Sequence, residues 1–289
     1  MDGIVYFCNL IIQNKEFFIL SKLNKSVAII GAGNIGSSIA LGLMSSGIIE
    51  NNELTVTRRL EDGLSLYKNL GNYTTTNNTE AVEKSEIIIL CVTPQQLNGV
   101  LEEIAPVLSE KKHVIMSVVS GASISQIKER TGNRCPVVRV MPNTAIAIKE
   151  SMTCISALDS EKEACELATK IFESVGQTLV IHEELMVPAT ALCACGIAFF
   201  MRAIRAASQG GIEIGFHAED SLFMAAQTAK GAATLLLNKG IHPESEVDKV
   251  TTPKGCTIAG LNQMEHSGFS SSLIKGIVTS AQKAETLYK

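Results

Sequence analysis

The sequence predicts an α/β chain in which a doubly wound parallel sheet comes first and an all-helical region closes it. Three observations carry this. Short apolar runs without polar alternation recur between Ser26 and Met141, separated by helical patterns. A glycine-rich turn, Gly31-Ala32-Gly33-Asn34-Ile35-Gly36, directly follows the first run and opens a helical pattern. Beyond about Leu185 the apolar runs stop and long helical patterns replace them.

The bulk composition bounds the answer. The 289 residues suit one large domain or two of ordinary size. With 46% hydrophobic and 19% charged residues, the chain has ample material for a core. A net charge of −4 argues against nucleic acid or an anionic membrane as the main partner. The 8 cysteines show no disulfide-framework spacing, so the thiols are expected reduced and the compartment cytoplasmic. Cys193 and Cys195 form a C-x-C pair, yet no second cluster with zinc-ligand spacing accompanies them. No metal site is expected, and the pair is expected as small buried residues on a helix. Trp is absent and aromatics are 4%, so packing rests on aliphatic side chains and close Ala/Gly contacts.

Taken in order, residues 1–24 form an N-terminal extension without an assigned role. Ile4 to Leu20 is apolar but broken by Asn9, Gln13, Asn14, Lys15 and Glu16, too interrupted to span a bilayer. It also lacks the basic start and small-residue cleavage site of a signal peptide. Residues 25–185 form the nucleotide-binding domain. Its strand candidates are Ser26–Ile30, Leu54–Thr57, Ile87–Val92, Val114–Val118 and Val137–Met141, with helices such as Ser37–Ser46 and Gln95–Leu108 between them. Apolar runs without polar alternation imply strands buried on both faces, hence a parallel sheet covered by helices. Residues 186–289 form the helical domain, with helices over Ala189–Gln209 and Ala218–Leu237.

The glycine turn has the context of a Rossmann-type dinucleotide site. Gly31 permits the tight turn, Gly33 lets the backbone approach a pyrophosphate, and Gly36 allows close helix–strand packing. The helix N-terminus offers free N–H donors to the phosphates. A carboxylate about 20 residues on would take the ribose 2′-hydroxyl of NAD. The second strand instead ends Thr57-Arg58-Arg59, and guanidiniums there suit a 2′-phosphate, so NADPH is expected, with NADH as the alternative. Arginines that merely solvate a helix start, paired locally with Glu61 and Asp62, are the bland account. Two other strand ends fall on the binding edge. Val92-Thr93-Pro94 turns rigidly into a helix, and in Met141-Pro142-Asn143-Thr144 the Asn143 amide can meet a carboxamide or cap the next segment. Finally, Val250-Thr251-Thr252-Pro253-Lys254-Gly255-Cys256-Thr257 precedes an apolar helical run. Such a helix entry can hold a carboxylate or be a plain capped turn.

These motifs in this order resemble the pyrroline-5-carboxylate reductases. The likeness spans residue 26 to about 286 and rests on the glycine turn, CVTP, VVRVMPNTA, ALCACGIAFF and VTTPKGCTIAGLNQMEHSGF. The resemblance implies a Rossmann domain plus a helical dimerisation domain, a homodimer or assembly of dimers, and active sites at the dimer interface. It implies that Gly31, Ala32, Gly33, Asn34, Ile35 and Gly36 cradle the pyrophosphate, and that Thr57 and Arg58 hold the adenosine ribose and its phosphate. Asn78, Val92, Thr93 and Pro94 would flank the cofactor, with Val118, Val119 and Ser120 near its nicotinamide half. Gly255, Cys256 and Thr257 would hold the substrate carboxylate.

The implied reaction is hydride transfer from NADPH to the C=N bond of 1-pyrroline-5-carboxylate, giving L-proline, the last step of proline biosynthesis. An imine protonated by solvent needs no strong side-chain acid, and none of His113, His182, His217, His242 and His266 lies in a catalytic motif. Catalysis then rests on positioning, with the carboxylate pinned at Thr257, whose hydroxyl can also hydrogen-bond the ring nitrogen. Rival readings are another imine reductase, a β-hydroxyacid dehydrogenase, and a non-catalytic NADPH-binding sensor. The dehydrogenases would carry a Lys that Ala191–Ala203 lacks, and a sensor need not keep the second site around Thr257. The chain departs from the family at Lys254, where the first of two glycines is usual. It departs again at Cys193-Ala194-Cys195-Gly196-Ile197-Ala198-Phe199, where Ser-Gly-Ser-Gly-Pro-Ala-Tyr is usual.

Overall fold

In the computed structural model, residues 22–237 and 242–288 are described. The N-terminal extension therefore lies, over residues 1–21, outside the described residues. The five strands expected from the sequence are all present. They are β1 (Val27–Ile30), β2 (Leu54–Thr57), β4 (Ile87–Leu90), β5 (Val114–Ser117) and β6 (Val137–Met141). Three more join them: β3 (Tyr73–Thr75), β7 (Ser151–Ser156) and β8 (Gly176–Val180). The sheet order is β3-β2-β1-β4-β5-β6-β7-β8, so the chain winds outward in both directions from β1. β6 and β7 pair antiparallel and β7 and β8 parallel, which makes the sheet mostly rather than wholly parallel.

Strand alternation divides the core. In β1, Val27 and Ile29 face the layer holding α1 (Asn34–Ser46), whereas Ala28 and Ile30 face the opposite layer. The first layer adds Ala164, Ala168, Ile171 and Phe172 of a helix running Lys162–Glu173. The second holds α2 (Asn78–Glu83), α3 (Pro94–Ile104) and α4 (Ile124–Arg130). The long helix after Val92 begins at Pro94, where proline's missing N–H costs nothing, and gives way at Ala105 to a 3-10 turn that contains Pro106.

At the far side of β6, Arg139 is 4% exposed and meets the Glu183 carboxylate at 3.3 Å. Burial pushes the guanidinium pKa down and Glu183 pulls it back. The same carboxylate oxygen accepts the Ile124 N–H at 2.7 Å, so one side chain ties β6, α4 and the start of the helical region together.

That region begins with Met186–Ala189, passes through a π-helical turn at Thr190–Cys195, and continues as α5 (Gly196–Glu213). α6 (Ala218–Leu236) packs back on it, with Ser221 Oγ donating to the Ser208 carbonyl at 2.7 Å. Then come α7 (Pro243–Val250), α8 (Cys256–His266) and α9 (Phe269–Ala284). The chain end returns to the first domain, where Tyr288 packs on Gly121 and donates to Asn98 Oδ1 at 2.6 Å.

Candidate active site

A cleft of about 890 Å³ opens at the carboxyl ends of β1, β2 and β4. Its floor is the glycine turn, and each glycine is there for a different reason. Gly31 has φ 97, in the left-handed region that a side chain disfavours. A Cβ on Gly36 would sit 2.2 Å from the Gly31 carbonyl oxygen, so α1 can approach the turn only without one. A Cβ on Gly33 would meet nothing within 4 Å, which leaves open space at the N-cap of α1. No side chain caps that helix, so its first N–H groups face this space without a partner from the cap. Open volume and uncapped donors together fit a pyrophosphate.

A hydrogen-bond relay stiffens the cleft wall. Thr57 Oγ1 accepts the Gly31 N–H at 3.2 Å and donates to Asn78 Oδ1 at 2.9 Å. Asn78 Nδ2 in turn donates to Glu103 at 2.9 Å, and the Asn78 N–H reaches the same carboxylate at 3.3 Å. A carboxylate can only accept, so Glu103 fixes which way the Asn78 amide points. Glu103 is a cleft residue that the sequence did not single out: its partner lies 25 positions away and no local motif marks it.

Beyond the end of β2, Arg58 and Arg59 line the cleft with Asp62, and Arg58 lies against Gly63. Both arginines are exposed, facing solvent and the cleft rather than a buried partner. Thr93 lines the opposite wall and caps α3 in company with Gln96, whose Oε1 accepts the Thr93 N–H at 3.2 Å.

The expected site residues divide by location. The cleft lining gathers Gly31, Ala32, Gly33, Thr57, Arg58, Asn78, Val92 and Thr93. Asn34, Ile35 and Gly36 form the first turn of α1 beside it, and Pro94 opens α3. Val118, Val119 and Ser120 follow β5 on the same edge of the sheet, outside this lining. Asn143 is committed within the chain. Its Oδ1 accepts the Ala145 N–H at 3.0 Å, the capping alternative, and its Nδ2 donates to the Cys193 carbonyl at 3.3 Å. Gly255, Cys256 and Thr257 do open a helix, α8, with Gly255 as its N-cap and no side chain capping it. They are absent from the cleft lining, which reaches no further along the chain than Glu103. The C-x-C pair is not buried: Cys193 and Cys195 are half-exposed, in the π-helical turn.

Lys254 has φ 59, the left-handed region in which glycine is at ease. The turn around it closes with the Gly255 N–H donating to the Thr252 carbonyl at 2.9 Å.

Comparison with known proteins matches two family models to this chain. "Pyrroline-5-carboxylate reductase dimerisation" covers residues 183–287, and "NADP oxidoreductase coenzyme F420-dependent" covers residues 26–121. Among curated relatives, pyrroline-5-carboxylate reductase 1 of Dictyostelium discoideum is 53% identical, aligned over 92% of this chain and 50% of its own length. Pyrroline-5-carboxylate reductase 2 of the same organism is 49% identical, over 91% of this chain and 93% of its own. The chain thus spans about half the length of the first relative and nearly all of the second. Among solved structures, a pyrroline-5-carboxylate reductase from Coxiella burnetii superposes with TM-score 0.82 at 27% identity, covering 92% of this chain and all of that one. The Plasmodium falciparum pyrroline carboxylate reductase with NADP bound gives TM-score 0.85 at 24% identity, over 93% of this chain and 100% of that one, and supports the fold. The segment Glu183–Glu213 is long and apolar enough to cross a membrane by length and composition. It falls inside the stretch matched by the dimerisation model.

Proposed function

Because the chain belongs to the pyrroline-5-carboxylate reductase family, we propose that it reduces 1-pyrroline-5-carboxylate to L-proline at the expense of NADPH. The observation that supports this most is the pair of uncapped helix entries, one at Gly33 beside the cleft and one at Gly255 on the helical region. The first suits a dinucleotide pyrophosphate and the second a small carboxylate.

NADPH, when bound, supplies the hydride. The residues supply position. The backbone N–H groups that open α1 orient the pyrophosphate, and the relay from Gly31 through Thr57 and Asn78 to Glu103 keeps that wall from rearranging. Arg58 offers a planar, permanently charged fork to the 2′-phosphate. Gly255, Cys256 and Thr257 pin the substrate carboxylate at the N-terminus of α8, and the Thr257 hydroxyl hydrogen-bonds the ring nitrogen. The imine arrives protonated from water, so positioning carries the rate. Gly255 to Thr257 lie outside the cleft of their own chain, which supports a site whose two halves come from two subunits of a homodimer. Thr257 is then the residue the chemistry depends on most.

Purified protein should consume NADPH, read as loss of absorbance, on addition of 1-pyrroline-5-carboxylate and not on addition of a 3-oxoacid, the substrate that a β-hydroxyacid dehydrogenase would reduce. Absence of turnover would overturn the assignment. In the same assay Arg58→Ala should lower the preference for NADPH over NADH about tenfold, the worth of roughly one charge-assisted hydrogen bond. An unaltered preference would remove Arg58 from the 2′-phosphate.

A further inference from the structure

The cysteines do not all sit alike. Cys91 and Cys135 are buried in the sheet core, and burial pushes their thiols up, Cys135 to about 12. Cys256 is exposed at the start of α8. Cys154 and Cys193 are different again. Cys154 is 3% exposed on β7, and Cys193 is half-exposed in the π-helical turn, 39 positions along the chain. Their sulfurs lie 3.9 Å apart, within a small apolar cluster with Met141, Met186 and Ala189.

The π turn helps explain the meeting. An extra residue in a helical turn rotates the side chains beyond it, and such turns cluster at functional positions. The thiols are also unequal. The hydrogen bond shared with Cys154 holds the Cys193 thiol below its ordinary value, while that bond and burial push Cys154 up. A partly exposed thiolate beside a shielded resolving thiol is the arrangement that reacts with oxidants.

We propose that Cys154 and Cys193 form a dithiol–disulfide site, oxidised by hydroperoxides, that fastens β7 to the π-helical turn opening α5. The Cys193 thiolate attacks the O–O bond of hydrogen peroxide. It becomes a sulfenic acid, and the departing hydroxide takes a proton to leave as water. The Cys154 sulfur then attacks the Cys193 sulfur, the S–O bond breaks, and a second water leaves with the Cys154 proton. Two thiols lose two electrons and two protons, and one peroxide becomes two waters. The sulfurs must close from 3.9 Å to about 2 Å, a movement the half-exposed π turn can absorb more readily than a central strand. The turn is joined to Asn143 through the Cys193 carbonyl, so the linkage reaches the β6 edge of the nucleotide domain.

The test is to treat the full chain with hydrogen peroxide, alkylate the remaining thiols in denaturant, and map peptides by tandem mass spectrometry. Fragmentation must separate Cys193 from Cys195, which share one tryptic peptide. The expected result is a dithiothreitol-reversible cross-link between Cys154 and Cys193 at low peroxide, lost in Cys154→Ser, in which Cys193 is trapped as a sulfenic acid that dimedone captures. Both thiols recovered alkylated while Cys256 is oxidised would overturn the proposal. So would a Cys193–Cys195 link, or oxidation of Cys193 that proceeds to sulfinic acid in the wild type without a cross-link.

Discussion

At the scale of single residues, the backbone decides more than the side chains do. Lys254 sits third in the turn Thr252-Pro253-Lys254-Gly255, with Pro253 before it and φ 59 of its own. Pro at the second corner and a left-handed third residue is the pattern of a type II turn, whose third position favours Gly. A side chain there costs about 1–2 kcal/mol, offset in part because Gly has more freedom to lose on folding. Lys254→Gly should therefore raise unfolding free energy by about 0.5–1 kcal/mol, read as a higher denaturant midpoint at unchanged slope. A lower midpoint would mean that the lysine side chain makes contacts worth more than the strain. The sequence marked Lys254 as a departure from the family but could not show the strain, because φ at a turn depends on how the flanking segments meet. The glycines at 31, 33 and 36 were legible because each answers a local geometric demand. Glu103 was not legible, because its role exists only once α2 and α3 lie side by side.

At the scale of elements, burial sets what can be read. β1 and β4 are buried at every position and announce themselves as unbroken apolar runs, and β6, also buried throughout, is interrupted only by Arg139. β3 has only Tyr-Thr-Thr, and β8 reads Gly-Gln-Thr-Leu-Val with Leu179 and Val180 exposed. Both are edge strands, held by one neighbour, so neither needs an apolar pattern on both faces. β7 is nearly all buried, yet its Ser-Met-Thr-Cys-Ile-Ser mixes hydroxyls with apolar residues. Those hydroxyls satisfy one another, Ser151 and Thr153 lying 3.0 Å apart, which the sequence does not reveal. The junction of β6, α4 and the helical region is likewise long-range, resting on Arg139 and Glu183. Glu183→Ala would leave a buried guanidinium without its counter-charge and the Ile124 N–H without its acceptor. A loss of about 3 kcal/mol is expected, seen as a fall in Tm. Adding Arg139→Met to that variant should restore part of the loss, since removing both charges spares the buried one. If the double variant falls further instead, Arg139 is held by packing and not by its charge.

At the scale of the whole molecule, the described residues leave large apolar side chains uncovered on the helical region. Phe200 is 60% exposed on α5 and Phe223 is 72% exposed on α6, in the stretch that matches the dimerisation model. The helical domain was legible as helices because each carries apolar residues, but which faces stay open depends on packing between elements that no local pattern records. If the cleft of one subunit is completed by Gly255 to Thr257 of the other, two inactive variants should rescue each other. Gly33→Asp is suited to the first role: nothing lies within 4 Å of its Cβ, and Gly33 is the N-cap of α1, so Asp folds there readily. Its carboxylate would take the N–H groups meant for the pyrophosphate. Thr257→Ala supplies the second defect, weakening the carboxylate site without touching the cleft. When the two variants are unfolded together and refolded as a mixture, half the dimers are mixed. With sites shared between subunits, each mixed dimer carries one site with both defects and one with neither, restoring about a quarter of wild-type turnover. With sites built within one chain, every site keeps one defect and the mixture stays as inactive as its parts. Each variant refolded alone gives the baseline, and wild type refolded alone gives the ceiling, so failure to refold cannot pass for failure to share a site.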